Sequence, residues 1–230
     1  VYTQFGLDSS PADSNTGHGT HIAISALGSG ASNTTATGIA PSADLVMYAL
    51  EHDPTGVFGR IGSIYDLLRD AEQMTARVTI NAWGANGNYG QYTADSRSVD
   101  ILVHDKPDVL PLFSVGDRGA QGANQVTAPG TAKNVLAIGA TGTGTTLGTV
   151  ASFSSNGPSL DGRIKPDLVA PGVDVCSGRA EEAAASPGLS CTSETHSSGT
   201  QMYTSLSGTS QATAVAVSYT HLTLPTKRIV

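Results

Sequence analysis

The chain has few charged side chains, and those it has are mostly acidic. Of its 230 residues, 12 are Lys or Arg and 19 are Asp or Glu, which leaves a formal net charge of −7. This balance argues against nucleic acid as a partner, because phosphate binding needs basic surface. Aromatic residues are scarce as well, at 5%. Small residues dominate instead, which suits tight turns and closely packed layers.

Long apolar runs are also missing. No stretch approaches the roughly 20 apolar residues that a helix needs to cross a bilayer, so we expect no membrane segment. The first residues, 1–4, show neither the basic nor the apolar part of a signal peptide, and the sequence does not begin with Met. We therefore expect its true start to lie further upstream. A length of 230 residues suits one α/β domain with a sizeable core.

Only two cysteines occur, Cys176 and Cys191, within sequence rich in Ser, Gly and Ala. Two free thiols and one disulfide both fit this count. We favour the disulfide, because the flanking sequence reads as loop and such a bridge would stabilise a secreted protein by about 3 kcal/mol. The chain has no Cys-x-x-Cys pair and no cluster of Cys and His, so zinc is not expected.

Strand-like runs alternate with helical patterns along the first part of the chain. The strand-like runs are 44–50, 78–81, 109–115 and 135–141, and the helical patterns are 22–27, 61–75 and 96–104. This alternation predicts an α/β fold with a parallel sheet and right-handed crossovers. Residues 142–207 read as loop, with a long surface excursion at 177–204.

Two short motifs carry a histidine and a serine that together suit nucleophilic catalysis. Gly-His-Gly-Thr-His at 17–21 places His18 between glycines, and Gly-Thr-Ser-Gln at 208–211 places Ser210 among small residues where a helix can begin. A serine hydroxyl becomes a nucleophile when a histidine accepts its proton. Either motif alone is more often a loop or a helix cap, and only the combination favours catalysis. His21 is expected to be a structural histidine inside the helix.

Both motifs resemble those of the subtilisin-like serine proteases, the subtilases. Further segments match the family pattern in the same order: 37–43, 80–84, 128–135, 153–158 and 161–167. Trp83 and the stretch 93–97 are similar to the bacterial alkaline branch. The resemblance covers about residues 1–218. It implies a three-layer α/β fold around a mostly parallel sheet, here truncated at both ends, and a secreted endopeptidase.

The resemblance also implies roles for the matching residues. Ser210 would attack the peptide carbonyl, and His18 would take its proton and later give it to the leaving amine. The two walls of the substrate pocket would be Ala82, Trp83 and Gly84 on one side and Ser114, Val115 and Gly116 on the other. Protein or peptide substrates are the implied partners of an expected monomer. The chemistry needs no cofactor, and the family often binds a structural calcium ion, for which we assign no ligands.

The chain departs from the family pattern at the third catalytic residue. The family's Asp lies in an Asp-Thr/Ser-Gly motif on a strand before the histidine, and this sequence has no such motif there. Asp8 and Asp13 are candidates by residue type only, and Asp13 matches a common polar position before the histidine motif. We therefore assign no catalytic Asp, and we expect poor activity from this chain even if it folds.

Asp117 is a second departure, because the family usually has an Asn there that donates an N–H to the oxyanion. An ionised Asp cannot donate, whereas a protonated Asp can. Asp117 could instead be a plain turn residue, but the match of 114–116 to the family pattern favours a place in the oxyanion hole.

Smaller departures are Ile24, which replaces Gly and could crowd a helix contact, and Ala214, which replaces Pro and is easily accommodated.

The last twelve residues, 219–230, do not match the family, because β-branched residues and Pro225 oppose continuation of the serine helix. We interpret them as a foreign tail after a partial catalytic domain at 1–218.

Two functions stay open: a serine endopeptidase, and a non-catalytic subtilase-like module that binds peptide. The missing Asp, Asp117 and the tail favour the module, whereas intact His18 and Ser210 favour the enzyme. An α/β-hydrolase is excluded by motif order.

Overall fold

Short strands alternate with helices along most of the chain. The computed structural model describes residues 2–4, 12–13, 15–52, 55, 57–59, 62–183 and 188–218. Within them the strands are β1 (Tyr2–Gln4), β2 (Met47–Ala49), β3 (Glu51–His52), β4 (Val57–Phe58), β5 (Val78–Asn81), β6 (Leu110–Ser114), β7 (Leu136–Thr141), β8 (Leu168–Pro171), β9 (Val175–Gly178) and β10 (Tyr203–Leu206). The α-helices are α1 (His18–Leu27), α2 (Ile64–Gln73), α3 (Ala94–Asp105) and α4 (Thr209–Val215).

The central sheet is parallel and runs in the order β5-β6-β7-β8. Side chains of successive strand residues point to opposite faces, and β6 shows this directly. Leu112 packs with Ala212 of α4, whereas Phe113 packs with Ile64 of α2 and Val99 of α3. Helices therefore cover both faces of the sheet, and the predicted three-layer α/β architecture is confirmed. Three small two-stranded sheets, β1-β2, β3-β4 and β9-β10, lie outside this central sheet.

The strands predicted at 78–81, 109–115 and 135–141 are confirmed as β5, β6 and β7, and the helices predicted at 61–75 and 96–104 are confirmed as α2 and α3. Side-chain caps set where the helices begin: Ser63 accepts a hydrogen bond from the N–H of Asp66, and Thr93 from that of Ser96. The run 44–50 forms only the short strand β2. Ile61 and the tail 219–230 lie outside the described residues.

The prediction of loop for residues 142–207 is wrong, because β8, β9 and β10 lie within it. These strands carry Ser, Gly, Thr and Pro rather than alternating apolar residues, so the sequence gives little strand signal. β9 and β10 pair antiparallel, which places Ser177 opposite Thr204. A disulfide joins Cys176 and Cys191, whose Cα atoms lie 5.9 Å apart. The favoured disulfide is therefore present, and it closes part of the excursion onto β9.

Helix α1 packs against α4 and against β9. Ile22, Ala26 and Ala214 form one buried cluster, so Ala214 is accommodated as expected. Ile24 packs against Gly178, where any Cβ would collide with it. The expected crowding by Ile24 is relieved because the facing residue has no side chain. None of the helices in the described ranges is long and apolar enough to cross a membrane.

Candidate active site

His18 is the first residue of α1. Gly17 precedes it in the left-handed region, at φ 71°, and the Gly17 carbonyl accepts a hydrogen bond from the N–H of His21. Asp13 Oδ2 accepts a 2.8 Å hydrogen bond from the N–H of Thr20 and so satisfies one free amide of the first helical turn. Asp13 therefore serves the start of the histidine helix, which fits its family position.

The imidazole of His18 favours its neutral form. Burial lowers the pKa of His18 below its usual value of 6.5, and the carboxylates of Asp13 and Asp117 act in the opposite direction. The lowering by burial is the larger effect. A histidine that is neutral near pH 7 can accept a proton, as a general base must.

Ser210 is the second residue of α4 and is partly exposed. Its Oγ donates a 3.0 Å hydrogen bond to the main-chain oxygen of Ala82. The hydroxyl has one hydrogen, so in this arrangement it does not donate to His18. Ala82 follows β5 directly, which explains how a strand end and a helix start meet at the serine.

Asp117 lies beside both predicted catalytic residues. Its Oδ1 accepts a 2.8 Å hydrogen bond from the N–H of Thr209, next to Ser210. Its charge also acts on His18. In the other direction, the N–H of Gly116 donates to Thr209 Oγ1 at 3.1 Å. These contacts bring together the histidine motif, the serine motif and the loop after β6.

The two predicted pocket walls lie next to each other. Ser114 Oγ donates a 3.3 Å hydrogen bond to the main-chain oxygen of Trp83 and so links them. The Trp83 ring packs between Phe58 and Phe113, with centroid distances of 5.1 and 5.5 Å. Val115 is fully buried in the core, so its side chain cannot touch a substrate in this arrangement.

Comparison of the sequence with models of protein families shows the family of this chain. A model described as the Subtilase family matches residues 3–223. The chain belongs to the subtilase family. Its match spans the histidine motif, the serine motif and every segment on which the resemblance was based.

Individual subtilases are similar to this chain in sequence, and solved ones are similar in fold. Serine protease AprX of Bacillus subtilis is 30% identical over 227 residues, which cover 93% of this chain and 49% of AprX. Subtilisin of Bacillus sp. strain TA39 is 33% identical over 148 residues, covering 62% of this chain and 34% of that protein. The solved S41 psychrophilic protease matches with a TM-score of 0.67 and 27% identity, covering 93% of this chain and 64% of that one. This subtilase sequence thus spans about half the length of AprX.

Thr127 lies between the two predicted pocket walls, a position that the sequence analysis missed. It is buried, and its side chain lies against both Gly84 and Gly116. A Cβ on Gly84 would lie 2.7 Å from Thr127 Cβ, and one on Gly116 would lie 2.7 Å from Thr127 Cγ2. Thr127 thus fills the space between the two walls. Nothing local marks it in the sequence, because its position depends on contacts between distant segments.

No carboxylate among the described residues forms a hydrogen bond with His18 in this subtilase. Asp13 is bound to Thr20, and Asp8 lies outside the described residues. The described part of the chain also contains no group of three or more His, Cys, Asp or Glu side chains that could hold a metal ion. The structure therefore assigns no ligands to a calcium ion.

A cavity of about 840 Å³ lies beside His18, between β2 and β5. All residues of both strands line it, with Ile22 of α1 and Leu68 of α2 also in its walls. Among the described strands, β2 pairs only with β1, and β5 pairs only with β6. The cavity is therefore bordered by two strand edges that pair with no other described strand.

Proposed function

We propose that this chain carries the nucleophile and the general base of a serine endopeptidase. The observation that carries the proposal is the arrangement around Asp117, which brings the motifs of His18 and Ser210 together although they lie at opposite ends of the chain. Similarity to the serine protease AprX and to the TA39 subtilisin supports a protease that acts on protein or peptide substrates. The disulfide supports secretion, since such bridges persist in oxidising compartments. We expect a monomer.

The reaction begins when the Ser210 hydroxyl leaves the oxygen of Ala82 and donates to His18. Ser210 Oγ then bonds to the peptide carbonyl carbon while neutral His18 takes the hydroxyl proton. His18 next gives that proton to the leaving amine, and the peptide C–N bond breaks to leave an acyl-enzyme. A water molecule then gives a proton to His18 as its oxygen bonds to the acyl carbon. The bond between that carbon and Ser210 Oγ breaks, His18 returns the proton to Ser210 Oγ, and the acid leaves. The oxygen of Ala82, once vacated, is free to accept an N–H of an extended substrate.

The third catalytic group, in this proposal, arrives on an additional strand in the cavity between β2 and β5. Among the strands that the structure describes, β2 pairs with β1 and β5 with β6, so the other edge of each borders the cavity that His18 also lines. A strand there would be covered by α1 on one face and α2 on the other, so it would be apolar on both faces. A carboxylate at its end could then orient the His18 ring, as the family's Asp does.

A non-catalytic, peptide-binding module is the second candidate. It is favoured by two observations on the described residues: Ser210 Oγ donates to the oxygen of Ala82, and no carboxylate forms a hydrogen bond with His18. Such a module would retain the pocket walls and bind extended peptide without cutting it.

Labelling with a fluorophosphonate distinguishes the two candidates. In this reaction Ser210 Oγ bonds to phosphorus, fluoride leaves, and His18 takes the proton. We expect slow labelling of the wild-type chain, none in Ser210→Ala, and a large loss in His18→Ala. Ser207→Ala, which changes a neighbouring serine bound to Asp174, is the matched control and should label normally. If neither this chain nor a chain extended at its N-terminus is labelled, the result would favour the binding module.

A further inference from the structure

His21 lies one helical turn after His18 and is fully buried. Its ring Nε2 lies 3.1 Å from the main-chain oxygen of Val175 and 3.2 Å from that of Thr204. Both partners are carbonyl oxygens, which only accept hydrogen bonds. Nε2 must therefore carry the hydrogen, and it donates to both oxygens.

The other ring nitrogen, Nδ1, is buried without a hydrogen-bond partner among the described residues. With the hydrogen on Nε2, this nitrogen carries only a lone pair. Protonation would place an unpaired charge in the interior, and burial accordingly lowers the pKa of His21 to about 4. His21 is thus a neutral ring whose orientation is set by two hydrogen bonds.

These two bonds join the elements that carry the proposed base and nucleophile. Val175 begins β9, and Thr204 lies in β10, the strand that leads directly into α4 and Ser210. His18 begins α1, the helix that carries His21. A single side chain therefore connects the helix of the base with the strand that leads to the nucleophile.

Two further contacts join the histidine motif to β9 and to the residues just after it. Ser177 Oγ donates a 3.0 Å hydrogen bond to the main-chain oxygen of His21, and both groups are buried. Beyond β9, Ala180 lies against Gly17, so closely that a Cβ there would be 3.3 Å from Ala180 Cβ. β9 and the residues just after it thus contact the chain on both sides of His18, at Gly17 and at His21.

We propose that His21 is a positioning residue, which holds His18 at a working distance from Ser210 by tying α1 to the β9–β10 hairpin. This inference rests on the proposed endopeptidase function but assigns a role to a residue that touches no substrate. Catalytic rates are sensitive to such placement, because a displacement of about 1 Å can lower a rate by roughly a hundredfold.

The test compares His21→Leu with His21→Gln. Leucine removes the donor, whereas the terminal amide nitrogen of glutamine can donate from nearly the position of Nε2. His104→Leu, at an exposed histidine in the last turn of α3, makes the same change away from the site. The rate of fluorophosphonate labelling is measured at increasing probe concentrations, which gives the maximal rate and the probe affinity separately. All measurements are made at a temperature well below each variant's unfolding midpoint.

We expect His21→Leu to lower the maximal labelling rate by about tenfold to a hundredfold with unchanged probe affinity. His21→Gln should recover most of that rate, and His104→Leu should match the wild type. Equal maximal rates for His21→Leu and the wild type would overturn the proposal. So would a glutamine variant as slow as the leucine variant at equal stability.

An NMR measurement keeps the test decisive if the wild-type chain does not label and the proposed function fails. The positioning role requires that His21→Leu shifts the ring resonances of His18 and the amide resonance of Ser210. His21→Gln should leave both close to their wild-type positions. Unchanged His18 and Ser210 resonances in His21→Leu would overturn the inference irrespective of labelling.

Discussion

The carboxylate of Asp117 accepts a 2.8 Å hydrogen bond from the main-chain N–H of Thr209, the residue before Ser210. A second bond runs the opposite way, from the N–H of Gly116 to Thr209 Oγ1 at 3.1 Å. Together they hold the loop after β6 against the start of α4. Oδ1 of Asp117 is thus engaged as an acceptor, while Oδ2 lies close to Gly208.

Asp117→Asn should accelerate reaction at Ser210. The Asn oxygen can keep the bond to Thr209, while its NH₂ group replaces Oδ2 and can donate to an oxyanion. In subtilisin itself, removing such an Asn donor lowers the rate by roughly 10²–10³, so we expect a gain of at least about tenfold in fluorophosphonate labelling. Asp174→Asn removes the same charge from an exposed loop and should change little. An unchanged rate in Asp117→Asn would show that residue 117 does not face the oxyanion.

His21 should make the protein sensitive to mild acid. Burial lowers the pKa of His21 to about 4 in the folded state, against a usual value of 6.5. Between pH 4 and pH 6.5 His21 is therefore protonated mainly in the unfolded state. The contribution of the neutral ring is complete above pH 6.5 and is lost as the pH falls toward 4. The lost free energy of unfolding is about 3 kcal/mol, and His18, whose pKa is also lowered, adds to it in the same direction.

Urea unfolding of the wild type and His21→Gln across this pH range measures the effect. The difference in unfolding free energy between the two should shrink as the pH falls from 6.5 to 4, because Gln does not titrate. Carboxylates contribute equally to both proteins and cancel in the difference. A pH-independent difference would mean that the folded and unfolded states bind a proton at His21 equally tightly.

Asp13→Asn should extend activity to lower pH. The Asp13 carboxylate raises the pKa of His18, so its neutralisation lets that pKa fall further. The Asn oxygen can still accept the hydrogen bond from Thr20, which preserves the start of α1. The acid limb of the labelling rate should therefore move to lower pH. A shift to higher pH, at unchanged stability, would contradict the electrostatic role of Asp13.

Thr127→Gly should widen the substrate pocket. The Thr127 side chain fills the space between Gly84 and Gly116, so its removal makes room for a larger substrate side chain. Peptidyl phosphonates with Ala or Phe next to phosphorus measure the preference. We expect the Phe-to-Ala ratio of labelling rates to rise by about tenfold or more. Thr127→Ser keeps the hydroxyl and should change the ratio less, whereas equal ratios in all three proteins would place the pocket elsewhere.

The sequence predicted the elements whose apolar pattern is strong. Periodicity predicts β5, β6, β7, α2 and α3. The glycine-rich motifs point to His18 and Ser210, which both lie beside Asp117. β9 and β10 were missed because their Ser, Gly and Thr residues gain strand structure from tertiary contacts. The bond from Ser210 to Ala82 and the position of Thr127 depend on which distant segments meet, which local patterns do not encode.

Hydrogen exchange in β5 tests whether the cavity accepts a further strand. Leu110 donates to the oxygen of Arg77, so Arg77, Thr79 and Asn81 direct their backbone groups toward β6. Backbone groups alternate along a strand, and the N–H groups of Val78 and Ile80 therefore point toward the cavity. In this chain we expect the amides of Val78 and Ile80 to exchange much faster than that of Thr79.

An upstream extension that supplies the strand should protect the amides of Val78 and Ile80 and leave that of Thr79 unchanged. The same extension should raise the labelling rate of Ser210, because in subtilisin loss of the catalytic Asp alone lowers kcat by about 3 × 10⁴. Protection without faster labelling would mean that the strand brings no carboxylate to His18. If Val78 and Ile80 are already as protected as Thr79 in this chain, another segment occupies the cavity and the proposed strand has no place there.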